Sequence, residues 1–297
     1  MTLAPRVVLV HRRSELDELL ERHGTRGQAE FFLRTRGRDL ADVQARHDAI
    51  GEALHTVSAA IPSGWRRGSV ERTDLDRFLF DPEDVVVVVG QDGLVANAAK
   101  YLHGQPVIGI DPEPGRNPGV LVPHVSADFA DLLIATVDHR ARVDHRTMVE
   151  AVTDDDQHLI ALNEIYLGHP THQSARYTLA SPDGRTERQS SSGILVGTGT
   201  GTTGWLASAY GERHSQLPLP RPTDRLLAWF VREAWPSPFT GTSLTEGTYG
   251  ERAELKVLVE HDALVAFGDG LESDHLTPTW GQAITLRVAH RSLTLVA

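Results

Sequence analysis

Three short stretches of this sequence combine glycines with side chains that can bind phosphates and sugars. They are Gly90-Gln91-Asp92-Gly93, the pair Asn163-Glu164, and a glycine and threonine run from Gly197 to Gly204 that ends at Trp205. Glycine lets a phosphate approach the backbone closely, and a carboxylate can accept the proton of a hydroxyl. An amide beside a carboxylate offers the donor and the acceptor that a ribose needs. Together the three stretches indicate nucleotide chemistry.

The first stretch follows five consecutive valines, Val85–Val89, and precedes a predicted helix over Leu94–Leu102. In open α/β sheets, ligands bind where a strand ends and a helix begins, and the helix N-terminus suits a phosphate. There Asp92 could take a proton from a substrate hydroxyl or help to hold Mg²⁺. The alternative is an ordinary strand-to-helix turn in which Asp92 caps the helix, and the spacing alone slightly favours it.

The second stretch interrupts an apolar strand predicted over Leu159–Leu167. Burying the carboxylate of Glu164 costs several kcal/mol unless it is paired or hydrogen-bonded. Asn163 and Glu164 together could therefore bind ribose hydroxyls. The alternative is a strand end or sheet edge where both side chains are in water.

The third stretch follows a strand predicted over Ile194–Val196 and is polar, with backbone N–H groups and hydroxyls for a nucleotide. Its indole ring could stack on a base, and the alternative is a flexible surface loop. The candidate binding residues here are Thr198, Thr200, Gly201, Thr202, Thr203, Gly204 and Trp205.

The elements that must position these stretches change in character along the chain. The first 125 residues alternate strand and helix signals, which predicts an α/β domain with a parallel sheet. Its clearest elements are a helix over Asp39–Ala60, a helix capped by Ser14, and the strands Arg6–Val10, Val85–Val89 and Pro106–Ile110.

From residue 126 to residue 297 the strand signals dominate and predict an all-β, sandwich-like domain. The expected strands are Met148–Val152, Leu159–Leu167, Ala175–Ala180, Ile194–Val196, Leu255–Val259, Ala263–Phe267, Ile284–Val288 and Leu293–Val296, with a turn at Pro182-Asp183-Gly184.

Composition excludes several classes of function. The net charge of −11 argues against a nucleic-acid partner, and the absence of cysteine excludes disulfides and thiolate metal sites. The longest apolar run is the five valines, too short to span a membrane, and the first residues contain no long apolar stretch typical of a signal peptide. We therefore expect a cytoplasmic protein with small-molecule partners and no dedicated metal-ligand set.

The order and spacing of the three stretches resemble the NAD kinase family, and most closely its mitochondrial-type branch. Gly90-Gln91-Asp92-Gly93 is similar to the family's Gly-Gly-Asp-Gly motif, and Asn163-Glu164 to its Asn-Glu pair. The form Thr198-Gly199-Thr200-Gly201 resembles the third motif of that branch. Further similar segments are Pro106–Pro112, Arg116-Asn117-Pro118-Gly119 and Asp269-Gly270.

The resemblance implies an α/β domain and an all-β domain with the active site between them, and a last strand that packs back on the first domain. It implies Mg²⁺-dependent transfer of the ATP γ-phosphoryl group to the 2′-hydroxyl of the NAD adenosine ribose. Asp92 would be the general base, and Gly90 and Gly93 would admit phosphates. Asn163 and Glu164 would hold the ribose and adenine region, and the segment from Thr198 to Trp205 would line the dinucleotide cleft. A homo-oligomer, by default a dimer, is also implied.

The sequence departs from the family pattern at Gln91, at Leu94 where the family has threonine, and at Trp205 where it has tyrosine. Two other functions therefore remain open. One is a kinase of another hydroxyl acceptor, a nucleoside or a lipid, and the other is a non-catalytic nucleotide-binding protein.

Overall fold

The structure is a computed structural model that describes residues 5–116, 119–262 and 264–297. Asn117 and Pro118 of the family-like segment, and Ala263 at the start of a predicted strand, lie outside the described residues. The chain divides into two compact units, Met1–Asp144 with Thr294–Ala297, and His145–Leu293. The predicted division at residue 125 stays a prediction.

The five valines form the middle strand of a parallel sheet in the first unit. All five side chains are buried, because strands flank β3 on both sides and helices cover both faces of a parallel sheet. The strands, in spatial order, are β2 (Arg66–Glu71), β1 (Arg6–His11), β3 (Val85–Val89) and β4 (Pro106–Ile110), followed by Thr294 and Leu295 of the last strand, all paired in parallel.

Five helices accompany this sheet: α1 (Glu15–His23), α2 (Arg26–Arg34), α3 (Leu40–Ala60), α4 (Asp92–Ala99) and α5 (Phe129–Val137). The capping residue of α1 is Ser14, as predicted, and its reciprocal bonds with Asp17 form a capping box. On α3 the buried positions Val43, Ala53 and Val57 fall on one face, so the predicted helical periodicity is confirmed.

The second unit contains two antiparallel layers. One layer has the order β6 (His158–Ala161), β5 (Val143–Thr153), β16 (Ala283–Val296), β13 (Leu255–Val259), β8 (Ala175–Ala180), β9 (Thr186–Ser191). The other has the order β12 (Glu246–Gly250), β11 (Leu226–Arg232), β10 (Gly193–Gly197), β7 (Glu164–Gly168), β14 (Val265–Gly268), β15 (His275–Leu276), with helix α6 (Trp205–Glu212) beside it.

The core of the second unit lies between these two layers. Tyr177 and Val257 from the first layer and Ile165, Val196 and Trp229 from the second belong to one buried apolar cluster. Burial alternates along single strands, so that β13 buries every second residue. The predicted sandwich-like fold is confirmed.

Several elements differ from the prediction. The single strand expected over Leu159–Leu167 is two strands, β6 and β7, in different layers. The helix expected over Leu94–Leu102 begins two residues earlier and ends at Ala99. The two strands expected over Ile284–Val288 and Leu293–Val296 are one strand, β16. Helices α2, α5 and α6 and strands β2, β9, β11, β12 and β15 were not predicted. Among the described residues, no helix combines the length and the apolar character that crossing a bilayer requires.

Candidate functional site

The Gly90-Gln91-Asp92-Gly93 motif connects β3 to α4, as the sequence predicts. Gly90 is buried and its N–H donates to the Ile110 carbonyl of the neighbouring strand at 3.0 Å. Gln91 is exposed and is the N-cap residue that precedes α4, but its side chain makes no capping hydrogen bond. The positive end of the helix therefore lies at the carboxyl end of the sheet, where an anion is favoured.

Around this motif lies a cavity of about 270 Å³. It is lined by Gly90, Gln91, Asp92, Gly93, Asp111, Gly119 and Val122. Two carboxylates therefore face one space at the ends of two adjacent parallel strands. Asp111 was not predicted as a site residue, although its position directly after β4 was a usable signal.

The carboxylate of Asp92 does not cap its own helix. Its Oδ2 accepts the N–H of Val120 at 2.8 Å and its Oδ1 accepts the N–H of Leu121 at 2.9 Å. The alternative interpretation, in which Asp92 is an ordinary capping residue, is therefore wrong. Leu94, where the family pattern has threonine, is buried and packs against Gly90.

In the second unit, Asn163 and Glu164 lie where the chain passes from β6 to β7. At this break the carboxylate of Asp269 accepts the N–H of Leu162 at 2.9 Å and the N–H of Asn163 at 2.7 Å. Asp269 has φ of 55°, in the left-handed region that Asp tolerates better than most residues. The sequence showed Asp269 only as part of an Asp-Gly pair.

Glu164 is buried, with 8% of its surface exposed, so the alternative that places its side chain in water is wrong. The pKa of Glu164 is raised from 4.5 to about 7, mainly by burial and to a smaller extent by the negative charge of Asp269. A carboxyl group with such a pKa is a candidate for ligand binding, because functional sites collect such groups. Asn163 beside it is half-buried.

The threonine and glycine run folds over this pair. The Thr198 hydroxyl donates to the Leu162 carbonyl at 2.6 Å, and the Thr198 N–H donates to the Asn163 carbonyl at 2.9 Å. A Cβ added to Gly201 would lie 2.5 Å from the Asn163 carbonyl oxygen and 3.2 Å from the Glu164 Oε2. The second and third stretches are therefore one cluster, and only glycine permits this approach at 201.

The hydroxyls of the run fall into two groups. Thr202 donates to the Gly199 carbonyl at 2.7 Å and Thr203 to the Thr200 carbonyl at 3.2 Å, so both hydroxyls keep their acceptor capacity. The Thr200 hydroxyl is buried and has no partner within the described residues. A buried hydroxyl without a partner is costly, which fits a group that a ligand completes.

Gly204 is exposed and is the N-cap residue of α6, and Trp205 is the first residue of that helix. The indole ring of Trp205 stacks on Tyr166, with 5.3 Å between ring centroids and an interplanar angle of 24°. The Arg232 guanidinium also lies 5.3 Å from the Trp205 ring. Trp205 is therefore half-buried among side chains of its own unit, and its stacking on a base stays a prediction.

The structure thus gathers the predicted residues into two groups, each within one unit. The first group is the Asp92 cavity, and the second is the cluster of Asn163, Glu164 and the run from Thr198 to Trp205. Within the described parts of the chain, no group of three or more acidic, histidine or cysteine side chains could hold a metal ion.

Comparison with known proteins gives consistent results, although no family model matches the chain. The NAD kinase of Pseudomonas putida (strain W619) is 26% identical over 252 residues, covering 81% of this chain and 78% of the relative. The NAD kinase of Caldicellulosiruptor saccharolyticus is 26% identical over 213 residues, covering 71% of this chain and 75% of the relative. The NAD kinase of Pseudomonas fluorescens (strain Pf0-1) is 27% identical over 253 residues, covering 81% and 78%.

Two solved structures share the fold. Yeast NADH kinase complexed with NADH superposes with a TM-score of 0.63 and 13% identity, over 100% of this chain and 84% of its own. An NAD kinase from Archaeoglobus fulgidus in complex with ATP superposes with a TM-score of 0.59 and 16% identity, over 98% of this chain and 93% of its own. The fold and the names of the relatives, added to the motifs and the geometry of the two groups, support the NAD kinase family for this chain.

Proposed function

We propose that this protein is an NAD kinase, which transfers the γ-phosphoryl group of ATP to the 2′-hydroxyl of the adenosine ribose of NAD. The observation that carries the proposal is Asp92, held at the end of β3 on the wall of a cavity that also includes the start of α4. The curated relatives that match most of the chain bear the same activity in their names.

In the proposed reaction, the carboxylate of Asp92 accepts the proton of the 2′-hydroxyl. A bond forms between that oxygen and the γ-phosphorus, the bond from the γ-phosphorus to its bridging oxygen breaks, and ADP leaves with the electron pair. Phosphoryl transfer depends mainly on positioning and on stabilising charge, so a glycine-rich turn with one carboxylate at a helix N-terminus, together with a metal ion, is a sufficient set of groups. Gly90 and Gly93 leave room for the phosphates.

The cavity fits Mg²⁺ that arrives with ATP. This ion commonly binds one or two carboxylates and completes its coordination with substrate phosphates and water. Asp111 is the second carboxylate that lines the cavity, beside Asp92, and it would hold the ion. When bound, Mg²⁺ neutralises the charge that develops on the phosphates.

We propose that Asn163 and Glu164 bind the ribose and adenine region of NAD, and that the run from Thr198 to Trp205 lines its binding site. Three features support this role: the buried Glu164 carboxyl, the Thr200 hydroxyl without a partner, and the close approach at Gly201. A hydroxyl pair of a ribose could supply the partners that Glu164 and Thr200 lack in the described structure.

We also propose a cytoplasmic homodimer that is closest to the mitochondrial-type branch of the family. The sequence from Thr198 to Gly201 supports the branch. Light scattering of the purified protein tests the dimer, and a monomer at micromolar concentration would contradict it.

The test of the function is an assay with purified protein, ATP, Mg²⁺ and NAD, in which a coupled dehydrogenase detects NADP. We expect NADP to form, and Asp92→Asn to reduce its formation by at least about 100-fold. The matched control is Asp131→Asn, which changes an exposed residue of α5. If no NADP forms but ADP is released when a nucleoside or lipid is offered, the acceptor of the phosphoryl group is that compound and not NAD. Nucleotide binding without ADP release would indicate a non-catalytic protein.

A further inference from the structure

The two hydrogen bonds of Asp92 join the motif to a segment far along the chain. Both carboxylate oxygens are used, one for the N–H of Val120 and one for the N–H of Leu121. Consecutive amides that bind the two oxygens of one carboxylate fix its rotation as well as its position. The side chain of Asp92 is thus oriented by a backbone segment outside its own helix.

The segment that provides these amides is itself tied to strand β4. A Cβ added to Gly109 would lie 2.0 Å from the Leu121 carbonyl oxygen, so the two backbones are in close contact. The next residues are also fixed, because the His124 N–H donates to the Gly109 carbonyl and the Asp111 N–H donates to the His124 carbonyl. The amide pair therefore lies on a backbone that the sheet holds in place.

Gly119 leaves the space that the carboxylate occupies. A Cβ added there would lie 2.6 Å from the Asp92 Oδ1 and 2.8 Å from Val122 Cγ2. Contacts shorter than 3.0 Å force a displacement, and the carboxylate is one of the two groups that must move. Nothing similar surrounds Gly51 on α3, where an added Cβ meets no atom within 4 Å.

We propose that Gly119 and the amides of Val120 and Leu121 form a positioning element for Asp92 in the proposed phosphoryl transfer. An ionised carboxylate has about four lone-pair sites, and the two amides use two of them. The others remain for the substrate hydroxyl on the cavity side. The inference rests on the proposed function, because it assigns to these residues the orientation of the group that accepts the proton.

The first test is Gly119→Ala, compared with the wild type and with Gly51→Ala. We expect kcat to fall about 10- to 100-fold, because a displacement of about 1 Å of a reacting group can cost that much. The KM values for NAD and ATP should change much less than kcat, since an added Cβ at Gly119, although this residue also lines the cavity, meets the Asp92 carboxylate. Gly51→Ala should keep the wild-type kcat.

Two results of this test would overturn the inference. An unchanged kcat would show that Asp92 needs no orientation from this segment, and a raised KM with an unchanged kcat would make Gly119 part of a binding surface instead. A wild type that forms no NADP refutes the proposed function itself, which separates the two failures.

The second test does not depend on activity or on the folding of the glycine variant. Hydrogen exchange of the Val120 and Leu121 amides is compared between the wild type, Asp92→Ala and Asp131→Ala. We expect exchange at these two amides to rise about tenfold in Asp92→Ala and to stay unchanged in Asp131→Ala. Equal exchange rates of the two amides in all three proteins would show that they do not bind the Asp92 carboxylate, and the positioning element would be refuted.

Discussion

Replacing Glu164 by glutamine tests the physical basis of the second group of residues. Glu164 is almost fully buried and lies near the negative charge of Asp269. Both conditions disfavour its ionised form, so the folded protein resists losing the proton that the unfolded chain loses readily. Glutamine has the shape of the protonated acid and carries no charge at any pH.

The size of the effect follows from the pKa, which rises from 4.5 to about 7 on folding. A raised pKa contributes stability that is fully present below pH 4.5 and is lost as the pH rises through 7. The loss amounts to about 3 kcal/mol, since each pKa unit corresponds to about 1.4 kcal/mol. Glu164→Gln does not undergo this loss. Its free energy of unfolding, relative to the wild type, should therefore rise by about 3 kcal/mol between pH 4 and pH 8.

The measurement is urea unfolding of both proteins at several pH values in that range. Trp229 is buried in the core of the second unit, so the unfolding of that unit changes the tryptophan fluorescence. Taking the difference between the two proteins removes the contribution of the titrating groups that do not interact with Glu164. Glu212→Gln, at an exposed position on α6, is the matched control.

A difference that stays constant from pH 4 to pH 8 would refute the reasoning. Glu164 would then ionise as easily in the folded protein as in the unfolded chain, which burial beside Asp269 does not allow. A difference that falls with pH would indicate a stabilising cation near Glu164, contrary to the described contacts.

Two further substitutions test the same cluster. Asp269→Asn removes the charge near Glu164 and one of the two carboxylate contacts to the Leu162 and Asn163 amides. At pH 5 this substitution should cost about 1–3 kcal/mol of stability. In the same unfolding series, the free energy of unfolding should also depend less on pH than that of the wild type. A dependence as large as that of the wild type would contradict the role of Asp269. Gly201→Ala places a Cβ 2.5 Å from the Asn163 carbonyl oxygen, which should cost about 1–3 kcal/mol and weaken NAD binding measured by calorimetry. Unchanged affinity and unchanged stability would show that the loop moves aside freely.

Much of the fold could be predicted from local sequence. Five consecutive valines cannot lie at a water-exposed edge without exposing apolar surface, so their burial in a parallel sheet followed directly. The three- and four-residue spacing along α3 and the capping pair Ser14 and Asp17 also depend on neighbours in sequence only. Strand β2 (Arg66–Glu71) escaped prediction because it lies at the edge of the sheet and keeps polar side chains in water.

The candidate site divides in the same way. Residue types and their order indicated which residues to consider, because glycines, carboxylates and hydroxyls carry their chemistry wherever they lie. Their partners could not be read from the sequence. Asp92 binds amides 28 and 29 residues away, and Asp269 binds amides more than 100 residues away.

The break between Ala161 and Glu164 shows the physical reason. Apart from Asn163 and Glu164, the segment from Leu159 to Leu167 is apolar, and its sequence alone fits one continuous strand as well as a strand end at the polar pair. The carboxylate of Asp269 takes the two amides at the break, and the flanking strands then pair in different layers. Hydrogen bonds between distant parts of the chain decided where Glu164 is buried, and so its pKa, while the sequence alone determined that a carboxyl group would be there.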